Sequence, residues 1–250
     1  MRPHRAGGCL IDMRYSDDLD RLLARKRALD LRVTDTPDLA KRLRELRTWQ
    51  ATRLARTYAD LRREPRYTLA LEFFLGDLYG PEDFVRRDDE LRRALSRLKR
   101  AMPATLLAVL RKAIELQVLT SELDQSMVSQ LQGASVNDAS YAAAYRDVGR
   151  VVDRKRQIDL TILIGEDLAR IVGQSWVGLA LRAAHIPAYA AGLGVLQRFL
   201  ERGYRAFSQM GDAQPLLRAI RERETDLMES LLRGDLTSIP NLAQEPAAGG

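Results

Sequence analysis

Apolar residues recur every three or four positions along most of this chain, which places them on one face of an α-helix. The clearest stretch begins after Thr36, where Pro37 suits the first helical turn, and continues to about residue 63. Its apolar side consists of Leu39, Leu43, Leu46, Leu54, Tyr58 and Leu61, with Trp49 at the edge. The pattern predicts an amphipathic helix whose broad opposite face is basic.

The same spacing predicts helices on both sides of this one. They cover residues 15–32, 67–79, a stretch from Pro81, a stretch from Pro103, and residues 141–172, 176–185, 188–210 and 215–233. Residues 158–164 are apolar enough for a buried strand, but no partner strand is evident elsewhere, so we predict a helix there too. We therefore predict an all-α protein that forms a single multi-helix bundle of about eight helices.

Turn-forming residues predict how the chain is organised. Residues 1–14 are expected to be a flexible N-terminal tail, and residues 235–250, rich in Pro, Ala and Gly, a flexible C-terminal tail. Residues 15–234 are expected to form one all-helical domain. Residues 130–140 (QLQGASVNDAS) form its clearest internal loop and are a candidate hinge.

Composition is that of an ordinary globular protein. The 250 residues are 46% hydrophobic and 30% charged, and no run reaches the roughly 18 apolar residues of a membrane span. The first residues lack the apolar stretch of a secretory signal, and Cys9 is the single cysteine, so no internal disulfide can form. We expect a cytoplasmic protein with no membrane span.

The net charge of +6 raises the question of a nucleic-acid partner. Residues 1–66 contain 17 Lys and Arg against 10 Asp and Glu, so the excess positive charge is N-terminal. Acidic residues are interleaved with the basic ones, which is typical of a solvated mixed-charge face. This distribution disfavours nucleic acid as a partner.

Most recognisable catalytic chemistry is excluded by residue type. His4 and His185 are the two histidines, too few for a di-iron helical bundle, and no zinc-binding histidine or cysteine motif occurs. The chain has no nucleophile elbow and no phosphate-binding glycine loop. The sequence therefore predicts no catalytic residue, no metal ligand and no cofactor.

One segment, residues 71–88 (LEFFLGDLYGPEDFVRRD), combines aromatics, turn formers and charges most densely. Its candidate ligand or interface residues are Glu72, Phe73, Phe74, Asp77, Tyr79, Asp83, Phe84 and Arg86. One interpretation is a carboxylate and arginine site beside an aromatic pocket. A more economical interpretation is a packed corner between two helices at Gly80-Pro81, and a third is an exposed aromatic interface.

The core of that segment, FFLGDLYGPEDFVRRD, resembles the signature of a family of uncharacterised bacterial all-helical proteins with an FFLxDLYGPxDF motif, a domain of unknown function. The later VLQRFLERGYRAFSQMG is similar to the C-terminal helix of that family. The resemblance spans roughly residues 20–233. It implies a helical fold unit and assigns no catalytic residues.

Two functional hypotheses lead. The first is a non-catalytic helical protein that acts through protein–protein contacts, with a protein partner or as a homo-oligomer. The alternative is a small-molecule-binding helical protein or enzyme, with a carboxylate and aromatic pocket near residues 71–90.

Overall fold

A computed structural model describes residues 6–74, 90–95 and 102–239, with side chains from residue 18 onward. These residues form helices and connecting turns, with no β-strand among them. The helices are α1 (Ala6–Thr34), α2 (Pro37–Thr57), α3 (Ala59–Arg62), α4 (Pro65–Glu72), α5 (Ala104–Leu131), α6 (Asp138–Val148), α7 (Val151–Val172), α8 (Ser175–Ala190), α9 (Gly194–Met210) and α10 (Gln214–Arg233). Residues 90–95 add a further helical segment. The all-α prediction is confirmed.

The described part of the chain thus contains eleven helical segments rather than about eight. One reason is that the predicted helix over residues 141–172 is two helices. Gly149 and Arg150 have positive φ angles of 61° and 49°, a left-handed conformation that an α-helix cannot accommodate. The predicted helix from Pro37 to residue 63 is likewise divided, with a turn at Tyr58.

Local signals explain several helix ends. Pro37 occupies the first turn of α2 as predicted, although the Thr36 side chain makes no capping hydrogen bond. At the start of α6, the Ser140 backbone N–H donates to Asn137 Oδ1 at 3.0 Å, and the Asn137 N–H donates to Ser140 Oγ at 2.9 Å. This reciprocal cap satisfies two donors that a helix N-terminus would otherwise leave unpaired. Gly234 ends α10 in the left-handed conformation.

The described residues near both ends of the chain have defined structure. Helix α1 begins at Ala6, inside the segment predicted to be a tail. Near the other end, Ile239 is only 5% exposed and packs in the same core cluster as Leu231. The hydroxyl oxygens of Ser230 and Ser238 lie 2.7 Å apart, which joins this short C-terminal stretch to α10.

The core has two principal clusters, which share α2 and α10. In the first, α2 and α10 pack with α5 and α6; in the second, they pack with α4, Ile162 of α7 and Met210 of α9. Helix α1 packs mainly on α5, and α8 packs on α9 and α7. Among the described helices, none combines the length and apolarity that crossing a membrane requires.

A glycine in α9 explains one close contact. A Cβ at Gly203 would lie 3.0 Å from the ring of Phe73, so glycine lets that aromatic side chain approach the helix backbone. The Phe73 ring also lies 5.1 Å from the ring of Phe199. Leu200, the residue after Phe199, is 44% exposed.

Candidate functional site

A partly open polar cavity of about 80 Å³ lies where the two core clusters meet. Side chains from α2, α5, α6, α7 and α10 line it, together with Phe74 just after α4. Its polar wall includes Gln50, Arg53, Thr120, Asp124, Tyr141, Tyr145, Arg154, Gln157, Thr161 and Glu224. Most helical bundles fill such a position with apolar side chains, so this polar lining needs an explanation.

Arg154 is the least satisfied group in the cavity wall. It is 4% exposed, and no described residue accepts a hydrogen bond from its Nε or Nη2. Its guanidinium carbon lies 4.1 Å from the centre of the Tyr145 ring, which is a cation–π contact. A buried donor without an acceptor costs about 1–3 kcal/mol, and more when the group is charged. This arrangement therefore destabilises the fold unless something else pairs with Arg154.

The start of α7 inverts the usual distribution of side chains. Val152 is 81% exposed and Val151 40% exposed, whereas Arg154 points inward. Arg154 lies on the same helical face as Ile158 and Thr161, four and seven residues later, and both also line the cavity. The helical register thus buries a charge and exposes two apolar side chains.

Arg53, the second cavity arginine, has a carboxylate partner. Its Nη1 donates to Glu224 Oε1 at 2.6 Å, and the Tyr58 hydroxyl donates to the same oxygen at 2.9 Å. Burial lowers the pKa of Arg53, but the charge and hydrogen bond of Glu224 outweigh it, so the pKa lies above its usual value. Arg53 is therefore a charged, paired group, although no described residue accepts from its Nε.

Asp124 completes the set of charges in the cavity wall. It is 2% exposed, and its two carboxylate oxygens accept from Arg47 Nε and Gln50 Nε2, each at 3.1 Å. On the neighbouring wall, Gln157 Nε2 donates to Thr120 Oγ1 at 2.8 Å. These contacts hold α2, α5 and α7 in register around the cavity.

Tyr145 keeps its proton in this environment. Burial raises the pKa of its hydroxyl well above the usual value, and the nearby positive charge of Arg154 only partly offsets that effect. Tyr145 is therefore a neutral aromatic surface under the Arg154 guanidinium, and it does not compensate the arginine's charge.

The structure describes three of the eight predicted site residues, and these three have different surroundings. Glu72 is exposed, and Phe73 is buried against Phe199 and Gly203. Of the three that are described, Phe74 alone lines the cavity. Five predicted site residues lie outside the described part of the chain, as does Gly80-Pro81: Asp77, Tyr79, Asp83, Phe84 and Arg86.

The sequence-based prediction of site residues did not include the buried arginines, Arg53 and Arg154. Arg53 follows Leu46 by seven residues and Gln50 by three, which puts it on the inward face of α2. Arg154 precedes Ile158 by four residues and Thr161 by seven, which puts it on the same face of α7 as these two residues. A charged residue on an otherwise apolar helical face predicts a buried charge. This signal is hard to recognise in a chain that contains many arginines.

The described residues contain no group of three or more histidine, cysteine and acidic side chains placed to hold a metal ion. His185 lies on the exposed α8, where its Nδ1 is 2.7 Å from Glu201 Oε1. The chemistry that the cavity offers is hydrogen bonding and charge pairing.

Comparison with curated proteins and with solved structures gave no match to this chain. A family model does match residues 30–238, most of the chain. The chain therefore belongs to the family described as a domain of unknown function, DUF8198.

Proposed function

We propose that this protein is a non-catalytic ligand-binding protein that takes a small molecule into the cavity between α2, α5, α6, α7 and α10. The observation that carries this proposal is the polar lining of the cavity, which includes Arg154, a buried cation with two N–H donors that no described residue accepts. Native proteins satisfy nearly all buried polar groups, and a group left unsatisfied in a cavity is typical of a functional site.

The cavity volume limits the size of the ligand. One water molecule needs about 10–15 Å³ of cavity volume, so 80 Å³ holds a molecule of about five to eight non-hydrogen atoms. The lining mixes these polar groups with apolar side chains, which include Leu54, Phe74, Ile158 and Ile220. The ligand is therefore a small molecule with both polar and apolar atoms.

Methyl NMR on the full chain tests the proposal with a panel of cationic, neutral and anionic compounds of five to eight non-hydrogen atoms. We expect at least one compound to shift the methyl resonances of Ile158 and Ile220, which line the cavity, while Ile114 in the α1–α5 core stays unchanged. If no compound in the panel shifts either cavity methyl, the proposal is wrong.

A filled cavity provides the matched control. Thr161 lies in the cavity wall, and Thr161→Met would occupy part of the volume with its longer side chain. We expect this variant to lose the compound-induced shifts while it keeps the fold. Equal shifts in Thr161→Met and in the unaltered protein would place binding elsewhere.

A second candidate function is self-association through α8, which corresponds to the predicted protein–protein role. This helix exposes four large apolar side chains, Trp176 (49%), Leu179 (61%), Ile186 (78%) and Tyr189 (42%). It carries one guanidinium, Arg182, and no carboxylate. In a two-fold contact the same surface meets itself, so an apolar face with little formal charge suits a second copy of this chain.

Size-exclusion chromatography with light scattering tests this second candidate. We expect the unaltered chain to elute as a dimer and Ile186→Glu to elute as a monomer, because a charge at the centre of the apolar face opposes association. Val152→Glu is the control, because Val152 is 81% exposed but belongs to α7. A monomeric unaltered chain, or a dimer that persists in Ile186→Glu, would contradict the assignment.

A further inference from the structure

We propose that the ligand of the cavity is an uncharged, short-chain primary amide, whose carbonyl oxygen accepts hydrogen bonds from the hydroxyls of Tyr141 and Tyr145. This inference rests on the proposed ligand-binding function and adds the chemical class of the ligand. It follows from the balance of charges in the cavity lining and from the polar atoms of that lining that remain open to a ligand.

The charges in the described lining of the cavity balance. They belong to two cations and two carboxylates, which are Arg53, Arg154, Asp124 and Glu224. Arg47, the partner of Asp124, lies outside this set, and its charge is screened by solvent because its side chain is 44% exposed. An ion that entered the cavity would lose its hydration without meeting an excess of opposite charge. The lining therefore favours an uncharged ligand.

The hydroxyls of Tyr141 and Tyr145 are open donors in this lining. The two residues are only 4% and 6% exposed, and neither hydroxyl has a hydrogen-bond partner among the described residues. Neither belongs to the unpartnered polar atoms that are closed to water, whereas Arg154 Nε and Nη2 do. The ionisable groups that act on the Tyr145 hydroxyl all line the cavity: Arg154, Tyr141, Arg53 and Glu224. A ligand in the cavity can therefore accept from these hydroxyls.

The same lining offers open acceptors. Glu224 receives its two described hydrogen bonds on Oε1, which leaves Oε2 available. Gln50 and Gln157 are half-buried and donate through Nε2, so no described residue donates to either Oε1. A primary amide matches both kinds of group, because its carbonyl oxygen accepts and its NH₂ group donates. A carboxylate has no N–H to offer these acceptors.

The packing around Tyr145 keeps it a donor and holds it in place. Burial raises the pKa of its hydroxyl well above the usual value, so the hydroxyl keeps its proton. The guanidinium carbon of Arg154 lies 4.1 Å from the centre of the Tyr145 ring, and the Tyr141 ring centre lies 5.9 Å from it. Trp49 stacks on Tyr141 at 3.9 Å. These contacts orient both rings before a ligand binds, which reduces the entropy lost on binding.

The apolar lining and the volume limit the rest of the molecule. Apolar side chains that contribute to the lining are Leu54, Phe74, Ile158, Ile220, Leu227 and Met228. They suit a short hydrocarbon body, and the volume of about 80 Å³ limits the whole ligand to about five to eight non-hydrogen atoms. Butyramide, with six non-hydrogen atoms, fits the volume, the charge balance and the apolar surface together.

Three compounds of nearly the same shape separate the effect of charge from that of size. Butyramide is uncharged, butyrate is an anion and butyramidinium is a cation, and each has six non-hydrogen atoms. Each is titrated into the full chain while the methyl resonances of Ile158 and Ile220 are followed. We expect butyramide to bind at least about tenfold more tightly than either ion, because the ions must be desolvated in a lining without excess charge.

Single hydroxyl deletions test the contact itself. Tyr145→Phe keeps the ring under Arg154, and no described residue loses a hydrogen bond, so the fold should be retained. We expect it to weaken butyramide binding about threefold to tenfold, the effect of one hydrogen bond, and Tyr141→Phe to do the same. Tyr67→Phe is the matched control, because Tyr67 is 1% exposed, has an unpartnered hydroxyl and lies outside the cavity lining. It should bind butyramide like the unaltered protein.

The outcomes separate the ligand class from the ligand-binding function. If butyrate, butyramidinium or another charged compound of the panel binds most tightly, the uncharged class is overturned while ligand binding stands. Tighter binding of 1-pentanol than of butyramide would replace the amide by an alcohol. Unchanged butyramide binding in both Tyr145→Phe and Tyr141→Phe, or equal weakening in Tyr67→Phe, would overturn the hydroxyl contact. If neither these probes nor the wider panel shifts the cavity methyls, the ligand-binding function fails as well.

Discussion

Replacing Glu224 by Gln is expected to lower the free energy of unfolding by about 3–5 kcal/mol, the usual cost of removing one partner from a buried ion pair. Glu224 accepts hydrogen bonds from both Arg53 and the Tyr58 hydroxyl. Without its charge, the buried Arg53 guanidinium keeps its desolvation cost and loses its counter-ion. Urea denaturation of the full chain, followed by circular dichroism, measures the change.

Glu229→Gln is the matched control, because Glu229 lies on the same helix in an exposed pair with Arg233. We expect it to change the free energy of unfolding by less than about 1 kcal/mol. The double variant Arg53→Met with Glu224→Met should recover most of the loss, since two apolar side chains replace two buried charges. A loss below about 1 kcal/mol in Glu224→Gln would contradict the buried pair.

Replacing Arg154 by Met has the opposite expected effect on stability. In the absence of added ligand, we expect Arg154→Met to raise the free energy of unfolding by about 1–3 kcal/mol. Relief of two unaccepted buried donors, at about 1–3 kcal/mol each, exceeds the loss of a cation–π contact of about 0.5–2 kcal/mol with Tyr145. Urea denaturation of both proteins in ligand-free buffer measures the difference.

Lys155→Met is again the control, with an expected change within about 0.5 kcal/mol, because Lys155 is exposed. A clear loss of stability in Arg154→Met would show that Arg154 serves the fold instead of a ligand. A gain in stability together with the loss of compound binding to the cavity is typical of a residue retained for function at a cost to the fold.

The fold class could be predicted from the sequence because it depends on local periodicity. The apolar positions of the last helix, Leu217, Ile220, Leu227, Met228 and Leu231, are all buried as the spacing predicts. Residues 158–164 are helical as predicted, within α7. The family resemblance is confirmed for residues 30–238, and the assignment of a domain of unknown function with it.

Helix boundaries were predicted less well where backbone conformation overrides periodicity. The break between α6 and α7 comes from consecutive left-handed residues, Gly149 and Arg150. Arginine rarely adopts that conformation, so its identity did not signal a break. The sequence predicted separate helices over residues 176–185 and 188–210, but α8 continues to Ala190 with Pro187 inside it.

The candidate site also depends on the packing of helices that are distant in sequence, which local sequence patterns do not determine. The sequence drew attention to residues 71–88 because aromatic and charged residues are dense there, yet Phe73 and Phe74, adjacent in sequence, contact different parts of the protein. Phe73 packs against α9, and Phe74 lines the cavity. Local density of residue types could not reveal that separation, because it depends on which helices pack against each residue.

The sequence alone determined that the chain is helical, which faces of its helices are apolar, and to which family it belongs. These properties follow from the order of residues within single helices. Only the tertiary structure decided that Arg53, Asp124, Arg154 and Glu224, from four different helices, line one cavity. A buried charge can be paired with a residue far away in the sequence, and Arg53 and Glu224 are 171 positions apart. Such pairs leave no periodic signal in the sequence, so only the tertiary structure shows them.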